Sequence, residues 1–213
     1  LEPLNRAALR IARKCADNPP KGLGVSLMAG NISNSNIWEA NNPKIQTQVK
    51  NMFAEMVKWA KEEKADFIIG ETFYYAEEAF AALEEIKKSG LPSVITISPM
   101  GENKMRDGYT ILETCKKLEE LGADVVGLNC FRGPKMTMKL LPEIRKAVSC
   151  HVAALPVPYR TTEKNPGFLN QVDEGCDCIP GGNAFPVALD NLYCNRFEMG
   201  EFAKQCEQQK INL

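Results

Sequence analysis

The whole chain holds a single histidine, His151, and that scarcity removes the usual material of a Ser-His-Asp relay or a histidine-rich metal centre. No Gly-x-Gly-x-x-Gly turn follows any apolar run, so the nucleotide-binding form of an open parallel sheet loses its main support. No block of like charge occurs either. Its 26 basic and 27 acidic residues leave a net charge of -1, which gives no electrostatic footprint for nucleic acid or an anionic membrane surface. No apolar stretch approaches the roughly 20 residues of a spanning helix, and Leu1-Glu-Pro-Leu-Asn-Arg6 lacks the basic-then-apolar form of a signal peptide. Nucleic acid and membrane are therefore set aside as partners, and the cytoplasm is the expected location.

Cysteine, by contrast, is plentiful, with eight in 213 residues. In a chain without secretory features they favour thiols or metal ligands over a disulfide framework. Cys176-Asp-Cys178 is spaced too closely for the usual zinc knuckle. Cys15, Cys115 and Cys206 fall within helical patterns and are read as packing residues.

Along the chain, strands and helices alternate. A helix is expected over residues 2–17, with Leu4, Ala8, Ile11, Ala12 and Cys15 at helical spacing and Asn18-Pro-Pro20 ending it. Residues 23–29 read as a strand, residues 31–36 as a polar loop, and residues 43–64 as a long helix with Phe53, Met56, Val57 and Ala60 as its buried stripe. The unit then recurs. Strands are expected over 65–70, 92–98, 123–130 and 150–155, with helices over 76–89, 110–121 and 138–148 between them. A Gly-, Pro- and Asn-rich span over 161–186 reads equally as a loop over a barrel mouth or as a mere insertion. A last helix is expected over 195–209, and Ile211-Asn-Leu213 looks like the opening of another strand. This alternation implies an α/β fold with a parallel sheet. Because each strand carries its polar groups at its C-terminal end, a partial (β/α)8 barrel is favoured, with five to six of eight strands present. The expectation is one domain over residues 1–213, incomplete at both ends.

The informative stretch is Ala123-Asp-Val-Val-Gly-Leu-Asn-Cys-Phe-Arg132, an apolar run too short for a core helix that delivers Asn129 and Cys130 to a strand end. Cys130 is there either a chemical thiol or a small buried hydrophobe. Glu71 closes the strand Ala65-Asp-Phe-Ile-Ile-Gly70 in the same way. It is either a ligand-binding carboxylate or a buried one paired within the protein. Asn129 has a similar second reading, as a side chain that fixes the strand-end turn.

Asp66-Phe-Ile-Ile-Gly-Glu-Thr-Phe73 with Glu77-Glu-Ala79, and Gly122-Ala-Asp-Val-Val-Gly-Leu-Asn-Cys130, together with Tyr159, resemble the homocysteine-binding domain of the betaine-homocysteine S-methyltransferase family. The resemblance runs through the whole chain. It implies zinc-dependent transfer of a methyl group from betaine, or a related donor, to homocysteine, giving methionine. It further implies that Cys130 is one of three zinc-binding thiolates, that Glu71 binds the amino-acid substrate with Asn129 supporting it, and that Tyr159 faces the donor cation. A homo-oligomer is implied for the full-length parent. This sequence departs from the family where Gly181-Gly182 is followed by Asn183 and not by a cysteine pair, and where Leu155-Pro156 stands in place of a Gln-Pro. Two other functions stay open: an inactive truncated product that acts only as an association partner, and a metal-independent barrel enzyme using Glu71 as base.

Overall fold

Five strands, all parallel, form one sheet in the order β1-β2-β3-β4-β5. They are β1 (Ala29–Ser33), β2 (Phe67–Phe73), β3 (Ser93–Ile97), β4 (Val125–Asn129) and β5 (His151–Leu155). The helices are α1 (Glu2–Asp17), α2 (Pro43–Glu62), α3 (Ala76–Ser89), α4 (Ile111–Glu120), α5 (Pro134–Met138), α6 (Leu141–Ala147) and α7 (Arg196–Gln208). The computed structural model describes residues 1–100, 103–172, 184–186 and 188–212. Cys176, Cys178, Gly181, Gly182 and Asn183 lie outside the described residues. Each strand pairs with its predecessor in sequence, with no reversal of order of the kind that defines a doubly wound sheet. The architecture is therefore a run of consecutive (β/α) barrel units.

Two layers of packing follow from the alternation of side chains along the strands. Ile68, Ile95, Ile97, Val126, Leu128 and Val152 point to the helices and join Phe53, Val57, Leu83, Ile86, Leu118 and Ile144 in the main core. Val94, Val125 and Ala153, with Phe67 and Ile69 beside them, form a smaller cluster on the opposite face, which in a barrel is the interior. β3 and β4 are buried at every position, as expected of central parallel strands. Gly127 on β4 has no alternative. A Cβ there would lie 2.0 Å from the Ala153 carbonyl oxygen of β5.

The helices begin where their caps are encoded. Asn42 accepts from the Ile45 amide ahead of α2, with Pro43 at its first position, and Thr110 with Glu113 closes a capping box on α4. α3 stops at Gly90, whose φ of 78° is left-handed.

Four expectations are corrected. The first strand begins at Ala29 and not at residue 23, because Leu23, Val25 and Leu27 are 65%, 92% and 65% exposed. Asn31 therefore lies in β1, not in a loop. The helix expected over 138–148 is two short helices, since a continuous one would place Pro142 in its interior without an amide hydrogen. In α1 no residue is buried. Leu4 and Ile11 are exposed, and so is Cys15, so this cysteine is not a packing residue as Cys115 and Cys206 are. The helix lies instead on its arginines, with Arg6 pairing with Glu62 and Glu63, Arg10 with Glu63, and Arg13 with Asp66. At the other end, Ile211 is buried and the Asn212 amide donates to the Val152 carbonyl at 2.8 Å. The Val152 amide donates in turn to Asn212 Oδ1 at 3.1 Å, so the chain docks beside β5 where a sixth strand was expected.

Candidate functional site

The interior face changes character along its length. Below, it is Phe67, Ile69, Val94 and Val125. Further along the strands it becomes Asn31 on β1, Glu71 on β2 and Asn129 on β4. Thr96 and Ser98 continue it on β3, both buried, with hydroxyls that meet no partner among the described residues. In a parallel barrel this C-terminal end is where loops converge and chemistry is placed.

Glu71 sits between two amides. Asn31 Nδ2 donates to Oε1 at 2.9 Å and Asn129 Nδ2 lies 3.4 Å from Oε2. A carboxylate has about four acceptor positions, so two donors leave capacity for a further one. Next to Glu71, the pairing of β2 with β3 shifts between Gly70 and Phe73, and Thr72 adopts a left-handed φ of 62°. A β-branched residue rarely takes that conformation. Three hydrogen bonds hold it there: the Thr72 amide donates to Asn129 Oδ1 at 2.9 Å, Thr72 Oγ1 accepts from Asn129 Nδ2 at 2.6 Å, and the Thr72 carbonyl accepts from Asn34 Nδ2 at 2.9 Å. Bulges next to sites re-aim side chains, and this one turns the chain directly after Glu71.

β4 ends in a second irregular turn, with Cys130 and Phe131 at φ of 58° and 52°. The Cys130 amide still donates to the Leu155 carbonyl at 2.9 Å, extending the β4–β5 ladder by one residue before the turn. Phe131 is buried under Gly167, where a Cβ would lie 2.0 Å from the ring. The Cys130 side chain is half-buried at the same mouth as Asn129. Across it stands Tyr74. Burial, and then Cys130 nearby, push the Tyr74 phenol above its ordinary value, while Arg106 pulls it back. The Arg106 guanidinium lies 4.8 Å from the Tyr74 ring centre and 5.8 Å from that of Tyr75.

The structure therefore brings Glu71 and Asn129 together, with Cys130 following Asn129 directly at the end of β4. Tyr159 belongs to a neighbouring aromatic stack, between Phe168 at 5.5 Å and Tyr193 at 5.0 Å. Its phenol is raised chiefly by a hydrogen bond with Tyr193. Asn31, Thr72 and Arg106 were not picked out from the sequence. Only the apolar run ahead of Gly70-Glu71 marked their neighbourhood.

A homocysteine S-methyltransferase family model matches residues 1–175. The chain belongs to that family. It is 30% identical over 210 residues to betaine–homocysteine S-methyltransferase 1 of Xenopus tropicalis, covering 95% of this chain and 47% of that protein. It is 26% identical over 216 residues to the S-methylmethionine–homocysteine S-methyltransferase of Pongo abelii, covering 99% of this chain and 54% of the relative. The chain thus spans about half the length of the curated relatives it matches. Among solved structures, it superposes on the apo form of the homocysteine methyltransferase MmuM from Escherichia coli with a TM-score of 0.60 at 17% identity, over 73% of this chain and 60% of that one. The metallated form gives 0.58 at 18%, over 73% and 58%. At such identity the structural likeness speaks for the barrel fold alone.

The family resemblance implies a zinc ion, which needs a converging set of donors. Among the described residues no group of three or more His, Cys, Asp and Glu side chains converges. Cys130 is a single thiolate, and a tetrahedral zinc centre open to substrate takes three protein ligands. The described residues do not fit a zinc site by themselves. No helix among them is long and apolar enough to cross a membrane.

Proposed function

We propose that this chain is the amino-acid-binding part of a homocysteine S-methyltransferase, with residues 1–213 acting as one homocysteine-binding domain. The observation that carries the reading is Glu71, oriented at the barrel mouth by Asn31 and by Asn129, the residue that precedes Cys130. A carboxylate so placed accepts hydrogen bonds from the α-ammonium group of homocysteine, and the partly enclosed mouth strengthens that attraction over its value in water. Asn129 spans from Glu71 to Thr72 and keeps the carboxylate from turning away. Tyr159, stacked between Phe168 and Tyr193, brings an aromatic cluster and not a free ring face to the side of the cationic donor.

In the reaction, the acceptor thiol gives up its proton to solvent, and its sulfur forms a bond to the donor methyl carbon while the bond to the cationic nitrogen or sulfur breaks. The electron pair returns to that leaving atom, so the donor departs neutral at that centre. Orientation is the contribution that these residues make. Betaine and S-methylmethionine are the donors named in the relatives, and betaine or a related cation is the donor we propose. Zinc, when bound, would activate the acceptor thiol, and Cys130 would be one of its ligands. Because Cys130 is the one ligand that the described residues offer, this reading rests on amino-acid binding and not on the metal. We also propose a cytoplasmic protein that forms a homo-oligomer at full length.

Calorimetric titration of L-homocysteine into the full-length protein and its Glu71→Gln variant tests the reading. Binding by the first and a loss of tenfold or more in the second is expected. Equal affinities would assign Glu71 to structure alone.

A further inference from the structure

A second carboxylate, unused by the proposed reaction, is buried just behind the mouth. Glu78 is 1% exposed and occupies the third position of α3. In α4 and α7 the glutamate at this position, Glu113 and Glu198, turns back to the amide of the capping residue. Glu78 does not. In α3 Asp107 takes over the first-turn amides, accepting from Ala76 at 3.1 Å and Glu77 at 2.9 Å. Released from capping, Glu78 Oε1 reaches across to the segment after β1 and accepts from the Ser35 amide at 2.7 Å and the Ser35 hydroxyl at 2.6 Å.

Among the described residues, these bonds come from Ser35 and none from a lysine or arginine. Burying a carboxylate without a cation is costly. Burial pushes its carboxyl up, the Ser35 bonds pull it down, and neighbouring Asp107 raises it again. A group so costly to bury calls for another role, and the geometry supplies one. The segment that Ser35 anchors carries Asn34, which donates to the Thr72 carbonyl, and it continues directly from β1, whose Asn31 donates to Glu71. Three nearby side chains thus stitch one segment to β2 and α3.

We propose that Glu78 is a positioning residue for the amino-acid acceptor: by holding Ser35 it fixes residues 31–36 so that Asn31 and Asn34 aim Glu71 and the Thr72 turn. The identity of the ligand rests on the proposed function; the anchoring does not. Two measurements on the full-length protein separate them. Hydrogen exchange of residues 31–36 and 72 should quicken by about tenfold or more in Glu78→Ala, the cost of about one charge-assisted hydrogen bond. The homocysteine KM should rise by a similar factor while the donor KM holds. Glu78→Gln keeps an oxygen that can accept both Ser35 bonds, and should restore both to within about twofold. If Glu78→Ala does not fold, Ser35→Ala removes the hydroxyl bond alone and should give a smaller shift in the same direction. Unchanged exchange in these variants would overturn the anchoring. Faster exchange with an unchanged homocysteine KM would overturn the positioning role. If the unaltered protein takes up no homocysteine, the reading of the site fails instead, and the exchange comparison still decides whether Glu78 orders the segment.

Discussion

Glu71 concentrates the charge of the mouth, and its neighbours are amides, which orient a carboxylate without neutralising it. In the full-length protein, Glu71→Gln is expected to raise the homocysteine KM and lower turnover, because the amide keeps the shape and loses the charge. Truncating one partner of a buried charge pair costs roughly 2 to 5 kcal/mol, so kcat/KM should fall between about tens and thousands of fold. Steady-state kinetics at saturating donor check this, and parental values would remove Glu71 from the site. Glu78 behaves in the opposite sense. Its carboxyl is raised in the folded chain, so between the unfolded and folded pKa values the native state binds more protons, and this group's contribution to stability falls as pH rises through that window. Glu78→Gln should therefore melt no lower than the parent at pH 8, with the difference narrowing toward pH 5. A Tm several degrees lower at pH 8 would show the carboxylate to be net stabilising. The placement of Glu71, Asn129 and Cys130 at strand ends was legible in the sequence because each follows an apolar run. Asn31 was not, since asparagine is a poor strand former and the apolar residues 23–29 mimicked the strand ahead of it. The left-handed Thr72 was invisible for a different reason. No local preference favours it, and only the hydrogen bonds from distant Asn34 and Asn129 stabilise it.

At the scale of elements, loops are tied down by side chains from neighbouring helices. Glu119, in the last turn of α4, accepts from the Ser149 amide and hydroxyl and from the Cys150 amide, and so fixes the entry to β5. The Ser149 hydroxyl leads the causes that hold its carboxyl below the usual range. Its folded pKa is lowered, so the stabilisation is present above the unfolded value and is lost as pH falls through the folded one. Glu119→Gln is expected to cost about 1 kcal/mol at pH 7, trimmed by the solvent at this partly exposed position. The deficit should be smaller at pH 3 than at pH 7. Urea unfolding at both values checks it, and a deficit that persists in full in acid would point to packing. Elements themselves were largely readable. β3 and β5 start and stop within a residue or two of expectation, and α3 matches residue for residue. α1 shows the limit: helical spacing of Leu4, Ala8 and Ile11 announces a helix but not which face is covered, and here the arginine face met the partner helix.

For the molecule as a whole, the chain of 213 residues is expected to retain less than one equivalent of zinc through dialysis, because Cys130 is one thiolate among the described residues. Stoichiometric zinc that disappears in Cys130→Ala would show that other residues complete the site. The barrel was legible from alternation and from polar strand ends, but the choice over a doubly wound sheet needed the strand order, which no single sequence displays. That order has a consequence in time. Because β2 pairs with β1, β3 with β2, and so on to β5, every strand after β1 has a partner that is already made. A growing polypeptide can lay down one unit on the previous one as it leaves the ribosome, each new strand finding its neighbour already in place and each loop closure short. The mouth itself, by contrast, is completed only when β4 arrives, some 60 residues after Glu71, bringing the side chain that clasps the Thr72 turn.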